Sequence, residues 1–112
     1  MIFTTEKNQD ILNVTLEETN FDASITDDFK KDITEALEKN NKVIINLGKV
    51  EFMDSSGCGA ILSVLRKLSV KGGDLKLYGA TKPVLTLLEL VRMHRVIEVL
   101  NTREEALQSF KR

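Results

Sequence analysis

Residues 52–59 read F-M-D-S-S-G-C-G. An acid, Asp54, precedes two hydroxyls, Ser55 and Ser56, and two glycines, Gly57 and Gly59, flank the chain's one cysteine, Cys58. The stretch separates two apolar segments, Val43–Leu47 and Ala60–Leu65. Such residues could cap a helix, supply a nucleophile, cradle a phosphate or carry a modifiable hydroxyl. Capping accounts for Asp54 or one serine, because the free N–H groups and positive dipole end of a helix favour an acceptor or a negative charge. It leaves the glycines unexplained, since each costs about 0.5–1 kcal/mol relative to Ala in a helix. Two of them suggest that something comes close to this backbone.

The catalytic alternatives fit poorly. A nucleophile elbow needs G-x-S-x-G, and the loop reads M-D-S-S-G. The chain holds a single histidine, His94, between arginines in R-M-H-R, which leaves a Ser-His-Asp triad or a His-based metal site without support. His94 is expected to be a surface cation at a helix end, with no catalytic role. A P-loop needs G-x-x-x-x-G-K-[ST], and no lysine follows Gly59. G-C-G-A-I-L lacks the third glycine of a dinucleotide fingerprint. Cys58 could be redox-active near a helix's positive end; as part of an apolar stripe it is expected to be a packing residue. The remaining chemistry is a phosphorylation switch, in which a serine at a helix N-terminus accepts a phosphate without unfolding the helix.

The elements around the loop follow from hydrophobic spacing. Residues 1–6 and 10–17 predict two short strands separated by the polar turn K-N-Q-D, and residues 19–25 predict an irregular stretch rich in turn formers. From Thr26 or Asp27 to Asn40, Phe29, Ile33, Ala36 and Leu37 fall on one helical face. Lys42–Leu47 is a continuous apolar strand, as in a sheet buried on both faces. Ser56 to about Val70 predicts a helix with Cys58, Ile61, Leu62, Leu65 and Leu68 as its stripe, widened by Ala60 and Val64 and ended by Lys71-Gly72-Gly73. Asp74–Tyr78 predicts a strand. Thr81 is a plausible cap for the next helix, with Pro83 in its first turn and Val84, Leu85, Leu87, Leu88 and Val91 as its inner face. Val96–Leu100 is extended, and Thr102 with Glu105 makes a capping box for a last helix bearing Ala106, Leu107 and Phe110. Strands alternating with helices predict an α/β domain with a mixed sheet of four to five strands and about four helices.

Bulk properties exclude other classes. The chain has 112 residues, which predicts one domain over 1–112, and 42% are hydrophobic, enough for an ordinary core. Acids number 17 and bases 16, for a net charge of -1, so nothing favours nucleic acid. No apolar run approaches the roughly 18 residues of a membrane span. The N-terminus M-I-F-T-T-E lacks the pattern of a signal peptide, and with one cysteine these features lead to the expectation of a cytoplasmic location.

The loop V-E-F-M-D-S-S-G-C-G-A-I-L-S-V-L-R-K-L resembles the signature of the STAS-domain family, and specifically of the small bacterial anti-sigma-factor antagonists. N-F-D-A-S-I-T-D-D-F resembles the family's segment in which an Asp, here Asp22, ends a strand ahead of a helix; residues 72–107 resemble its C-terminal half. Where the family usually reads Gly-Glu-Leu-Asp, this chain reads Thr19-Asn20-Phe21-Asp22. By that match Ser55 would be the phosphoacceptor, and Asp22, Asp54, Ser55, Ser56 and Gly57 the partner-binding set. The resemblance implies a STAS-like domain that catalyses nothing itself and needs no cofactor or metal. Its unphosphorylated form would bind an anti-sigma factor that is also a serine kinase and so release a sigma factor. Phosphorylation of Ser55 would end that binding, and a protein phosphatase would reset it. The glycines would let the kinase approach. The rival expectations are a STAS scaffold or transporter-associated subunit that docks a partner without a phosphorylation cycle, and, from another class, a nucleotide-binding enzyme.

Overall fold

The computed structural model describes residues 1–111. Its main sheet contains β1 (Phe3–Asn8), β2 (Ile11–Leu16), β4 (Lys42–Asn46), β6 (Asp74–Tyr78) and β7 (Glu98–Leu100), in the spatial order β1-β2-β4-β6-β7. The β1–β2 hairpin is antiparallel and the remaining pairs are parallel, so the sheet is mixed, as the alternation of elements predicts. Helices α1 (Thr26–Glu38), α2 (Ser55–Val70), α3 (Lys82–Leu90) and α4 (Arg103–Ser109) complete the α/β architecture.

The continuous apolar run of β4 is explained by its central position. Val43, Ile44 and Ile45 are all fully buried, with alternate side chains entering opposite faces. On one face Val43 and Ile45 join Phe29 and Ile33 of α1, Ile61 and Val64 of α2, and Val84 and Leu88 of α3. On the other, Ile44 packs with Ile11, Tyr78 and Ala106 under α4. The Tyr78 hydroxyl donates to Asn13 Oδ1 at 3.1 Å, which pairs the buried hydroxyl with the amide oxygen.

Two short strands stand outside the pattern expected from sequence. β3 (Asn20–Phe21) and β5 (Phe52–Met53) pair in parallel as a separate ribbon, with Phe21 opposite Met53. Phe21 and Met53 face the core; Asn20 and Phe52 face outward. Phe21 is fully buried and meets Phe29 edge-on, 4.9 Å between centroids.

Helix ends differ from expectation where tertiary contacts compete. The Thr81 hydroxyl occupies the N-cap position of α3 but donates to the Val50 carbonyl at 2.7 Å instead of accepting from the helix. It thereby ties α3 to the segment before β5. Val91, expected on the inner face of α3, is 45% exposed. The helix stops at Leu90, and Arg92 takes a left-handed φ of 61° that turns the chain away. In α2 the deepest positions are Ala60, Ile61, Val64 and Leu68, while Leu62 and Leu65 are half-buried. Gly72 ends α2 as expected: its φ is 78°, and the bonds from Gly73 N–H to Leu68 O and from Gly72 N–H to Ser69 O close a Schellman turn. Thr102 and Glu105 form the expected capping box of α4.

Candidate functional site

The D-S-S-G-C-G segment joins β5 to α2, at the carboxyl end of a strand, where ligands and partners gather in α/β folds. Asp54 is the N-cap of α2. Its Oδ1 accepts from Gly57 N–H at 3.1 Å, and its Oδ2 receives a longer bond from Ala23 N–H at 3.4 Å. One carboxylate therefore caps the helix and also links it to the β3–α1 connection. Ser55 and Ser56 are the first two helical residues. Ser55 is exposed and Ser56 partly so, and neither hydroxyl is bonded to another described residue. The rigid element is thus the backbone beneath Ser55, and the free element is its hydroxyl.

Asp22 and Asp54 each follow one strand of the β3–β5 ribbon, so the parallel register brings them to the same end. Asp22 Oδ1 accepts from the Ser24 hydroxyl at 2.6 Å and from Ser24 N–H at 3.0 Å, and its carbonyl accepts from Ile25 and Thr26 N–H. The Ser24 hydroxyl, then its amide, hold the Asp22 carboxyl below the usual carboxylate range. Ser24 was not singled out from sequence. The signal was available in D-A-S, an Asx-turn in which an Asp side chain bonds the backbone two residues on.

Of the expected partner contacts, Gly57 requires correction. Both glycines were expected to make room for an incoming kinase. Gly57 is buried, and a Cβ built there would stand 2.5 Å from Phe21 O and 2.6 Å from Met53 Cγ. The close approach it permits is that of the protein's own ribbon. At Gly59, which is exposed, a Cβ would meet nothing within 4 Å. Asp22, Asp54, Ser55 and Ser56 retain accessible surface. His94 lies exposed in a 3-10 turn, Met93–Arg95, beyond α3.

Cys58 is 5% exposed, with its Sγ 3.9 Å from Met53 Sδ. Burial, and secondarily the Asp54 charge, push its thiol pKa up. Since the thiolate is the reactive form, Cys58 should alkylate in the native protein at least about tenfold more slowly than in the urea-unfolded chain at the same pH. Labelling followed by intact-mass analysis checks this, and equal rates would place the thiol at the surface.

Among the described residues, no group of three His, Cys, Asp or Glu side chains is arranged to hold a metal ion, and no helix is long and apolar enough to cross a membrane. A cleft of about 560 Å³ lined by Val99, Leu100, Asn101, Glu105, Gln108, Ser109 and Lys111 lies between β7 and α4 and contains none of the site residues.

Residues 3–106 match the model of the STAS domain. A Thermotoga maritima protein that carries the provisional name anti-sigma factor antagonist is 33% identical over 86 residues, covering 75% of this chain and 76% of the relative. The anti-sigma F factor antagonist of Paenibacillus polymyxa is 26% identical over 88 residues, covering 77% and 75%. The unphosphorylated form of the anti-sigma factor antagonist SpoIIAA superposes with a TM-score of 0.81 at 22% identity, covering 97% of this chain and 96% of that one, which shows the same fold. With the family model spanning both the sheet and the D-S-S-G-C-G loop, this chain belongs to the STAS domain family.

Proposed function

We propose that this STAS domain is an anti-sigma-factor antagonist controlled by phosphorylation of Ser55. Unphosphorylated, it binds an anti-sigma factor that is also a serine kinase, and a sigma factor is released. The kinase transfers a phosphoryl group to Ser55, the complex dissociates, and a phosphatase restores the serine. The domain itself carries no catalytic group in this scheme and works in the cytoplasm with its partners. The observation that carries the reading is the contrast at the start of α2: an exposed, unbonded Ser55 hydroxyl on backbone fixed by the Asp54 cap. The names of the Thermotoga and Paenibacillus relatives point to the same partner class.

Phosphate mapping tests this. Each kinase-type anti-sigma factor encoded in the source genome would be purified and incubated with ATP and the wild-type, Ser55→Ala or Ser56→Ala protein. Ser55→Ala should accept no phosphate, and Ser56→Ala should be modified like wild type. Phosphate on Ser56, or on neither serine, would remove the switch and favour a scaffold that docks its partner without a phosphorylation cycle.

A further inference from the structure

Phe52 lies three residues before Ser55, a Cα separation of at most about 11 Å. The two-residue period of the β3–β5 ribbon sends Met53 into the core and leaves Phe52 52% exposed. Single exposed apolar side chains are ordinary. Phe52 is distinguished by type and by setting. It is the one aromatic among the large exposed hydrophobic residues described; the others, Met1, Val70, Leu90, Val91 and Val96, lie elsewhere in the sequence. Phe52 is also held in a fixed position, because the Phe52 and Glu51 amides both donate to the Thr19 carbonyl, at 3.1 and 2.7 Å.

The surroundings of Phe52 are acidic. No base occurs between Lys7 and Lys30, or between Lys49 and Arg66. Those two stretches meet through the Thr19 bonds, the ribbon and the Ala23–Asp54 bond. Glu18, Asp22, Asp27, Asp28, Glu51 and Asp54 all belong to them, and none makes an ion pair with a described residue. Of the bases at the margin, Lys49 is paired with Glu17, and Lys82, at the start of α3, is exposed.

We propose that Phe52 is the apolar anchor of the protein-docking surface beside Ser55, and that the partner meets it with an apolar socket rimmed by lysines and arginines. The inference rests on the proposed function and adds the chemistry of the partner's face. Interface centres are enriched in aromatic residues and poor in charge, and the charged rim steers encounter. A phenylalanine on two adjoining stretches that carry acids without ion pairs and no bases presents that arrangement, and a basic rim matches it.

The probes are the same purified kinase-type anti-sigma factors, with binding followed by surface plasmon resonance without ATP. Phe52→Ala should lower affinity at least about tenfold, chiefly by faster dissociation, with an unchanged melting temperature. Phe52→Leu should retain most of the affinity. Raising NaCl from about 50 to about 500 mM, or substituting Glu51→Lys with Asp27→Lys, should slow association. Wild-type affinity in Phe52→Ala would overturn the anchor, and an association rate indifferent to salt and to the reversals would overturn the basic rim. Either result leaves the proposed function standing if phosphate still maps to Ser55. If no such factor binds the wild-type protein, that reading fails and this inference fails with it.

Discussion

Gly57→Ala should destabilise the protein, and Gly59→Ala, two residues on, should stabilise it. Both positions lie in the same helix, so both substitutions gain about 1 kcal/mol of helix propensity. At Gly59 nothing opposes the gain, because a Cβ there enters open space. At Gly57 the new carbon would lie 2.5 Å from the Phe21 carbonyl oxygen, inside any tolerable contact. A flexible side chain could swing aside. A backbone carbonyl in a paired strand moves only if the ribbon moves, and Met53 Cγ at 2.6 Å blocks the other direction. Overpacking of this kind costs about 1–3 kcal/mol, occasionally more, and the backbone partner argues for the upper end. The net loss should be about 2 kcal/mol, or roughly 8 °C in Tm for a domain of this size, against a rise of roughly 4 °C for Gly59→Ala. Thermal unfolding of the two variants measures both. Equal shifts of either sign would mean that the ribbon does not press on Gly57.

The source of that asymmetry also marks what could be read from the residues alone. The hairpin, the parallel strands and the four helices follow from periodicity, and β4 followed from an unbroken Val-Ile-Ile that only a central strand can bury. The position of Asp54, Ser55 and Ser56 at the start of α2 followed from the polar break between two apolar runs. The role of Gly57 depends on Phe21, which lies far away in sequence and reaches it through a ribbon of two-residue strands. Strands that short carry no alternation to detect. The same holds for Thr81: its hydroxyl suited a cap, and a carbonyl from another element, Val50, took it instead. Thr19, where the family usually has glycine, keeps an ordinary negative φ and accepts two amide bonds from the β5 segment, so the ribbon forms without that glycine.

Phosphorylation of Ser55 should leave the fold in place and lower partner affinity at least about a hundredfold. In the free domain the phosphate, with about -1.5 to -2 charges at pH 7, sits at the first residue of α2, where open amides and the helix dipole favour it by roughly 0.3–1 kcal/mol. Asp54 and Asp22 oppose it, but solvent and salt screen them at an accessible surface. These effects offset one another, and Tm should change by no more than about 4 °C. In the complex the balance differs. A kinase must bring the terminal phosphate of its nucleotide to the Ser55 oxygen, so a phosphate already there faces like charge at the centre of the interface. Cations on the rim are occupied by the surrounding carboxylates and offer little compensation. Like charges juxtaposed at an interface, or an ion buried without a partner, cost several kcal/mol, and each 1.4 kcal/mol is about tenfold in affinity. Ser55→Asp supplies about half the charge and should cost at least about tenfold, with Tm nearly that of wild type. Ser55→Ala, which adds no charge, should bind like wild type and stay bound when ATP is present. Calorimetric titration of the wild-type, phosphorylated, Ser55→Asp and Ser55→Ala proteins into the kinase loaded with a non-hydrolysable ATP analogue measures the series. Equal affinity of Ser55→Asp and wild type would show that negative charge at Ser55 does not control binding.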